Sequence, residues 1–412
     1  DDFKDGVHSI FLWGPAAFPN AQMRYVSVDG NDANPGNESM PFQTIGKALS
    51  DLQATVGLER CEVIIQTPGD YDGGSPEEWA NGDTWLTIRA ADGLDPSDPA
   101  TRVSIRGDST SPFHMRTNAS LAHWKNVAFD AATCVYLQSI DDEYAWFDEC
   151  FFFDSLGWES NRAYGVLTTN NKGQGFSVTS CTGRDREHGF GGGQIVRNCV
   201  LEQITGDAFT NTRLVVDCKL EKHHSIIPGN HCDVYQLFGT PSEDPDDQLV
   251  ENRIIFGVRA WDLVGVQICM FNHANTVLRN IAVVDLAAVT PIGEIEKSHL
   301  CSSSTHFVFL NISMPQQQFV IQDDLDPTNP DAQFIGDDVL IANLIAVRFW
   351  RGGYYDEGVP SGVQLLNSHM ASTGNLSNDD LGVSNLSVGE IDLESTNGID
   401  WVYSGDGAPL IL

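Results

Sequence analysis

A short apolar strand preceded by one polar residue recurs nine times along the chain, and this recurrence restricts the fold more than any single motif. The nine polar residues are Asn126, Glu149, Asn198, Asp217, Asn252, Asn280, Asn311, Asn343 and Asn385. Asn and Asp tolerate the left-handed backbone conformation that joins two short strands at an angle, and their side chains can hydrogen-bond between neighbouring coils. From Asn198 to Asn343 the steps are 19, 35, 28, 31 and 32 residues, which we interpret as one coil per step with loops of varying length. Because one coil cannot bury its apolar face alone, the pattern predicts stacked coils, a parallel β-helix.

The length of the chain is compatible with one continuous stack. Its 412 residues could form two or three ordinary domains, but a solenoid can use them all in a single array. We therefore predict one domain with an N-terminal segment and cap over 1–60, coils with inserted loops over 61–390, and a C-terminal coil or cap over 391–412.

The segment from Tyr25 to Tyr71 predicts the cap and the first coil. A strand and a polar loop precede a helix over 45–56, whose apolar residues recur on one face and could cover the open end of the solenoid. The pattern comprises Tyr25, Val26, Gly30, Asp32, Asn34, Gly36, Pro41, Phe42, Thr44, Ile45, Ala48, Leu49, Val63, Ile65, Pro68, Gly69 and Tyr71. It resembles the opening of the right-handed parallel β-helix proteins of the pectate-lyase-like superfamily. The resemblance implies an all-β, right-handed parallel β-helix with an N-terminal amphipathic capping helix. Because that superfamily includes lyases, hydrolases, epimerases, esterases and phage spikes, it does not choose the reaction.

The charge of the chain limits its partners. A net charge of −34 disfavours nucleic acid and anionic membranes, and no apolar run approaches 18 residues, so we expect no membrane insertion. The chain opens at Asp1 without Met, which fits either a mature, processed product or a trimmed chain, and we expect a secreted, extracellular or periplasmic protein.

One segment departs from this acidic background. Residues 172–222 contain seven basic and six acidic side chains, a net of +1, which leaves −35 for the rest of the chain. A near-neutral segment in an acidic protein favours an anionic ligand, and an acidic polysaccharide is the partner we expect.

The same segment begins the candidate site. Aligning Phe190, Phe209 and Tyr235 on successive coils places His188, Asp207 and Asp233 in one column, because side chains two residues apart share a strand face. Coils stack about 4.8 Å apart, so we predict a polar wall along an outer groove. The predicted catalytic residues are Asp207, Asp233, His188, His231 and Arg186. The predicted substrate-binding residues are Arg184, Lys222, Tyr235, Gln236 and Gln267.

Several functions use such a wall, and the sequence favours an enzyme. The leading hypothesis is β-elimination of an acidic polysaccharide, in which a base removes the proton next to a uronate carboxylate. One alternative is a glycoside hydrolase that uses paired Asp residues. Another is a non-catalytic glycan-binding, phage-spike-like or assembly protein, since solenoid ends can associate head to tail. Asp207 and Asp233 are also candidate ligands of Ca²⁺, the one cofactor considered, as are acidic loops at 29–34, 243–247 and 323–326.

The nine cysteines leave at least one without an intrachain partner. Cys150, Cys199 and Cys218 each follow a polar bend residue directly, and we predict that they point into the coils as small buried hydrophobic side chains.

Overall fold

We analysed a computed structural model of the chain. The chain forms two compact units, 1–200 and 201–412, and each is described by itself. The structure describes residues 21–54, 60–72, 85–106, 121–130, 135–137, 144–153, 164–168, 176–186, 188–224, 232–237, 249–271, 277–288, 297–300, 303–322, 336–352, 362–372, 383–384, 386–388, 393–396 and 400–403.

The first unit consists of short parallel strands and one helix. The strands are β1 (Gln22–Val26), β2 (Arg60–Ile65), β3 (Gly69–Asp72), β4 (Trp85–Ala90), β5 (Val103–Arg106), β6 (Leu121–Lys125), β7 (Ala128–Asp130), β8 (Val135–Leu137), β9 (Tyr144–Asp148), β10 (Phe151–Phe153), β11 (Tyr164–Thr168), β12 (Phe176–Thr179), β13 (Thr182–Arg186), β14 (His188–Gly191) and β15 (Ile195–Arg197), and the helix is α1 (Ile45–Gln53). Each strand pairs with its counterpart one coil later, which gives three parallel sheets. The first sheet contains β8, β11 and β14, the second β1, β2, β4, β6, β9, β12 and β15, and the third β3, β5, β7, β10 and β13.

The second unit repeats this arrangement. Its strands are β16 (Val200–Ile204, whose first residue ends the first unit), β17 (Phe209–Thr210), β18 (Leu214–Val216), β19 (Lys219–His224), β20 (Cys232–Leu237), β21 (Leu249–Phe256), β22 (Arg259–Val264), β23 (Val266–Phe271), β24 (Val277–Ala288), β25 (Lys297–Leu300), β26 (Ser303–Gln322), β27 (Gly336–Gly352), β28 (Val363–Leu366), β29 (His369–Ser372), β30 (Val383–Ser384), β31 (Ser387–Val388), β32 (Leu393–Thr396) and β33 (Asp400–Tyr403). All pair in parallel one coil apart except the antiparallel hairpin β32–β33. The predicted parallel β-helix is confirmed.

The predicted bend residues adopt the left-handed conformation. Eight of the nine have φ between 52° and 57°, and Asn385 lies outside the described residues. Asn residues of successive coils bond to each other in the second unit: Asn280 Nδ2 donates to Asn252 Oδ1 at 3.0 Å, and Asn343 Nδ2 donates to Asn311 Oδ1 at 2.8 Å. These bonds confirm the expected function of the side chains.

The bends do not form the single series that the spacing predicted. In the second unit they belong to two corners of each coil, on either side of one strand. The first ladder comprises Asn252, Asn280, His306 and Asp338, and the second comprises Asp217, Gly257, Asp285, Asn311, Asn343 and Asn367. Sequence reading merged the ladders because both corners require the same left-handed residue types.

Helix α1 packs on β1 and β2, as predicted for a cap, although it ends three residues before the predicted Val56. Its buried face comprises Ile45, Ala48, Leu49 and Leu52. The helix begins at Thr44, whose Oγ1 accepts the Lys47 N–H at 3.2 Å. The polar loop before the helix therefore supplies the cap that stabilises its first turn.

The interior of the first unit is aromatic. Phe129 stacks on Phe152 with ring centroids 5.2 Å apart, and Trp124 and Phe147 meet Phe129 edge-on. The prediction for the bend cysteines is confirmed, because Cys150, Cys199 and Cys218 are buried. The cysteines whose side chains the structure describes form no disulfide; they are Cys61, Cys150, Cys181, Cys199, Cys218 and Cys232.

Candidate functional site

The predicted Asp pair lies on two adjacent coils of the second unit. Phe209 pairs with Tyr235 in the register that the sequence predicted. Asp207 Oδ1 accepts the backbone N–H of Asp233 at 3.2 Å. Asp207 therefore fixes the start of the neighbouring strand, whatever else it does. His188 belongs to the first unit, so the expectation that it lies close to this pair stays a prediction.

The structure does not place the side chains of Asp233 and Tyr235 on an outer wall. Both side chains are 0% exposed, and the Tyr235 hydroxyl donates to the Thr212 carbonyl. Because residues two apart share a strand face, Asp233 lies on the same side as the buried Tyr235 ring. In this arrangement neither side chain can contact a polysaccharide in solvent, so the predicted outer position is corrected. Their catalytic, binding and metal-ligand roles remain untested predictions.

The other predicted residues are dispersed. In the second unit, Lys222 is exposed at a left-handed bend, Gln236 is half-buried, and Gln267 lies opposite Asp233 in the sheet register. In the first unit, Arg184 is half-buried on β13 and His188 is half-buried at the start of β14. The side chains of Gln267 and Arg186, and all of His231, lie outside the described residues.

Arg184 belongs to a face that sequence reasoning missed. The outward column of the third sheet in the first unit runs Asp72, Arg106, Asp130, Phe153 and Arg184, and the column beside it contains Asp70, Ser104, Ala128, Phe151 and Thr182. We call Arg102, Arg106, Asp130, Phe151, Phe153 and Arg184 the arginine–phenylalanine face.

Two guanidinium groups cover the aromatic rings of this face. Phe151 and Phe153 stack with centroids 5.2 Å apart. The Arg102 Cζ lies 4.2 Å from the Phe153 centroid, and the Arg184 Cζ lies 5.6 Å from the Phe151 centroid. Both distances are within cation–π range, so the rings orient the guanidinium groups. The phenylalanines are only 4% and 9% exposed, whereas Arg102 and Arg184 are half-buried.

The third arginine of the face is paired with acids. Arg106 Nη1 lies 3.1 Å from Asp70 Oδ2, and Arg106 Nε lies 3.5 Å from Asp130 Oδ2. The Asp130 side chain is nearly buried, whereas those of Arg106 and Asp70 are about half exposed. Arg106 therefore balances a buried carboxylate and leaves Arg102 and Arg184 as the cations stacked on rings.

The sequence contains one signal that could have predicted this face, a run of three phenylalanines. Phe151, Phe152 and Phe153 are consecutive in a strand, and strand side chains alternate between faces. If the middle ring is in the core, the outer two must point outward. A reading of the run as uniformly apolar overlooks this alternation.

A second outward column of the first unit is buried. His123 lies between Thr87 and Trp146 in register, and it is 7% exposed. Trp146 Nε1 donates to Thr179 Oγ1 at 2.9 Å, and that hydroxyl donates to Asp148 Oδ1 at 2.8 Å. Burial lowers the pKa of His123 to about 4, Asp148 opposes this shift, and Lys125 adds to it. The imidazole is therefore neutral at pH 7.

The described residues do not form a cluster of ligands suited to Ca²⁺. Among the described residues, no group of three or more His, Cys, Asp or Glu is arranged to hold a metal ion. In the 29–34 loop, Asp32 Oδ1 accepts the N–H groups of Gln43 and Thr44 at 2.9 and 3.0 Å, which assigns it to helix capping. The loops at 243–247 and 323–326 lie outside the described residues. The described part of the chain also lacks a helix that is long and apolar enough to cross a membrane.

Comparison with known proteins gives one family match and several distant structural matches. Residues 28–80 match the family model described as "Protein of unknown function (DUF1565)", which covers the cap and first coil but less than half of the chain. The strand pairing of the chain itself shows a parallel β-helix. No curated protein matches it.

Solved structures of similar fold include a rhamnogalacturonan lyase, at 12% identity, 91% coverage of both chains and a TM-score of 0.36. The A-module of the Azotobacter vinelandii mannuronan C-5 epimerase AlgE6 is 13% identical, with 84% of this chain and 95% of that chain covered and a TM-score of 0.34. A lacto-N-biosidase of family GH136 from Eubacterium ramulus is 12% identical, with 90% and 68% covered and a TM-score of 0.32. These similarities are too distant to assign an activity.

Proposed function

We propose that the protein is a secreted carbohydrate-active protein that binds an acidic polysaccharide along the arginine–phenylalanine face and cleaves it by β-elimination. The observation that supports this most directly is the pair of guanidinium groups, Arg102 and Arg184, held over Phe153 and Phe151. Guanidinium forks match the geometry of carboxylates and bind them bidentately. In a chain with 57 acidic and 23 basic residues, such a face is a distinctive place for an anionic polymer to bind.

The reaction follows from the charge that such a site neutralises. A guanidinium that binds a uronate carboxylate stabilises the negative charge that develops when the neighbouring C–H proton is removed. A base takes that proton, the electron pair forms a C=C bond, and the glycosidic oxygen leaves. Arg184 is our candidate neutraliser, and His188, at the start of the next strand, is our candidate base.

The paired-carboxylate alternative receives less support. A glycoside hydrolase needs two carboxyl groups that both reach the glycosidic bond. Asp233 is fully buried, and Asp207 accepts a hydrogen bond from the Asp233 backbone. The hydrogen bond from the Asp233 N–H to Asp207 is a structural contact and does not by itself favour hydrolysis.

Product chemistry tests the proposal. The protein is incubated with a panel of uronate polysaccharides, and ultraviolet absorbance of an unsaturated product is followed beside the release of reducing ends. We expect both signals to rise together on at least one substrate, with and without a calcium chelator as separate arms. Reducing ends without ultraviolet absorbance would replace elimination by hydrolysis. Binding without either signal would make the protein a non-catalytic glycan-binding protein.

Variants then test the site. Arg102→Gln and Arg184→Gln together should reduce binding and turnover at least tenfold. Arg279→Gln is the matched control, because Arg279 is a partly exposed arginine in an ion pair with Glu251 of the second unit. Equal losses in the control and the double variant would contradict this location of the site.

A further inference from the structure

A core column of the second unit contains arginine where the later coils contain hydrophobic side chains. The register aligns Arg253 with Ile281, Phe307, Val339 and Val363, and all five are buried. On the preceding coil Leu214 pairs with Ile254, and the Ile254 N–H donates to the Arg213 carbonyl at 2.9 Å. Arg213 therefore occupies the equivalent position, one coil before Arg253. Two arginines follow each other in a column that elsewhere is apolar.

The Arg253 guanidinium is buried, and its Nε has no partner among the described residues. The residue is 4% exposed, and its Nη1 donates to the Glu251 carbonyl at 2.6 Å. A buried cation with an unsatisfied N–H is costly, and a second arginine on the adjacent coil increases that cost. Burial lowers the pKa of Arg253, and Arg213 lowers it further against the opposing effects of Tyr235 and Glu251.

The residues beside the two arginines are fixed by a buried tyrosine. The Tyr235 ring is fully buried, and its hydroxyl donates to the carbonyl of Thr212, the residue before Arg213. This bond ties the turn at 211–213 to the core. Arg213 itself is half-buried, so the column is not closed to solvent at that residue.

We propose that Arg213 and Arg253 bind a small oxyanion in the interior of the second unit. Phosphate, sulfate and carboxylate share the required chemistry, two or more oxygens that accept from guanidinium forks. The anion would satisfy the Arg253 Nε–H and would separate two like charges on adjacent coils. The inference does not depend on the arginine–phenylalanine face, which belongs to the first unit.

Thermal unfolding and titration calorimetry test this site. Inorganic phosphate and monomeric galacturonate are the two probes, and sodium chloride at equal ionic strength corrects for screening. For the wild-type chain we expect a saturable rise of the unfolding midpoint and measurable heat with at least one probe. A response to phosphate alone identifies a mineral anion, and a stronger response to galacturonate identifies a sugar carboxylate. No saturable response to either would overturn the proposal.

Three variants locate the response. Arg253→Leu matches the apolar residues of the column, so it should fold and lose the response. Arg213→Gln, which keeps Arg253, should weaken binding at least tenfold and decides the matter if the leucine variant does not fold. Arg259→Gln, which breaks an ion pair with Asp285 in the same unit, should respond like the wild type. A full response in both Arg253→Leu and Arg213→Gln would contradict the assignment.

Discussion

The two arginine clusters described above, one in each unit, lie on opposite faces of their sheets. In the first unit, Arg106 and Arg184 stand in an outward column, and Arg102 and Arg184 lie over aromatic rings. In the second, Arg253 stands in an inward column whose other members are hydrophobic. In our proposals, arginine therefore binds a polymer in the first unit and an enclosed oxyanion in the second. In a solenoid, the position of a residue within its strand decides which function it can have.

The first unit has phenylalanines on both the inward and the outward face of its third sheet, so their replacement tests whether the two faces differ in function. Phe152→Ala should cost about 3–5 kcal/mol of unfolding free energy, since the inward ring stacks on Phe129 and its loss leaves a cavity. Phe151→Ala should cost less and should weaken polysaccharide binding, since Arg184 loses the ring that orients it. Urea unfolding and calorimetry measure the two effects. Equal unfolding costs would show that the faces are not distinct.

A buried histidine tests whether an outward column of the first unit is closed to water. The pKa of His123 is about 4 in the folded chain and about 6.5 unfolded, so the unfolded chain binds more protons between these values. Stability should be fully present above pH 6.5 and should fall by about 3 kcal/mol as the pH decreases towards 4. Urea midpoints at successive pH values measure this loss. His123→Gln should remove most of this dependence, and the same slope in both proteins would contradict the burial.

The dependence of binding on ionic strength distinguishes the outward arginines from the inward ones. Polysaccharide affinity at the arginine–phenylalanine face should fall as ionic strength rises, because salt screens the attraction between partly exposed guanidinium groups and an anionic polymer. Arg184→Gln should cost about tenfold in affinity at low salt, or about 1.4 kcal/mol, and less at high salt. Arg184→Lys should recover only part of the loss, because a lysine lacks the planar fork. Full recovery with lysine would show that only charge matters.

The smallest expected effect concerns the left-handed bends. Asn343→Ala should destabilise the second unit by about 1 kcal/mol, because alanine disfavours a positive φ and the bond to Asn311 is lost. Asn343→Gly should cost less, since glycine adopts this conformation freely. Denaturant midpoints of the two variants give the comparison. A glycine variant that is less stable than the alanine variant would contradict the backbone explanation.

The sequence predicted those features that depend on local residue type. The bends, the capping helix and the inward cysteines follow from the conformational preferences of Asn, Thr and small hydrophobic residues. The alignment of Phe209 with Tyr235 was also predicted, because large aromatic residues mark equivalent core positions in successive coils.

Features that depend on side-chain direction were not predicted. Asp233 was placed on an outer wall although it shares a strand face with Tyr235, whose burial only the structure revealed. Asn252 and Asn311 were assigned to one ladder although they occupy different corners, because either corner accepts an Asn. Arg102 lies 82 residues before Arg184 in the chain, and only the sheet register brings them to one face.

The most direct test of the proposed site is a crystal structure of the protein with a short acidic oligosaccharide that the panel shows to bind. We predict a sugar carboxylate about 3 Å from the guanidinium of Arg102 or Arg184, along the outward columns of the third sheet in the first unit. An oligosaccharide bound elsewhere, with this face empty, would contradict the account.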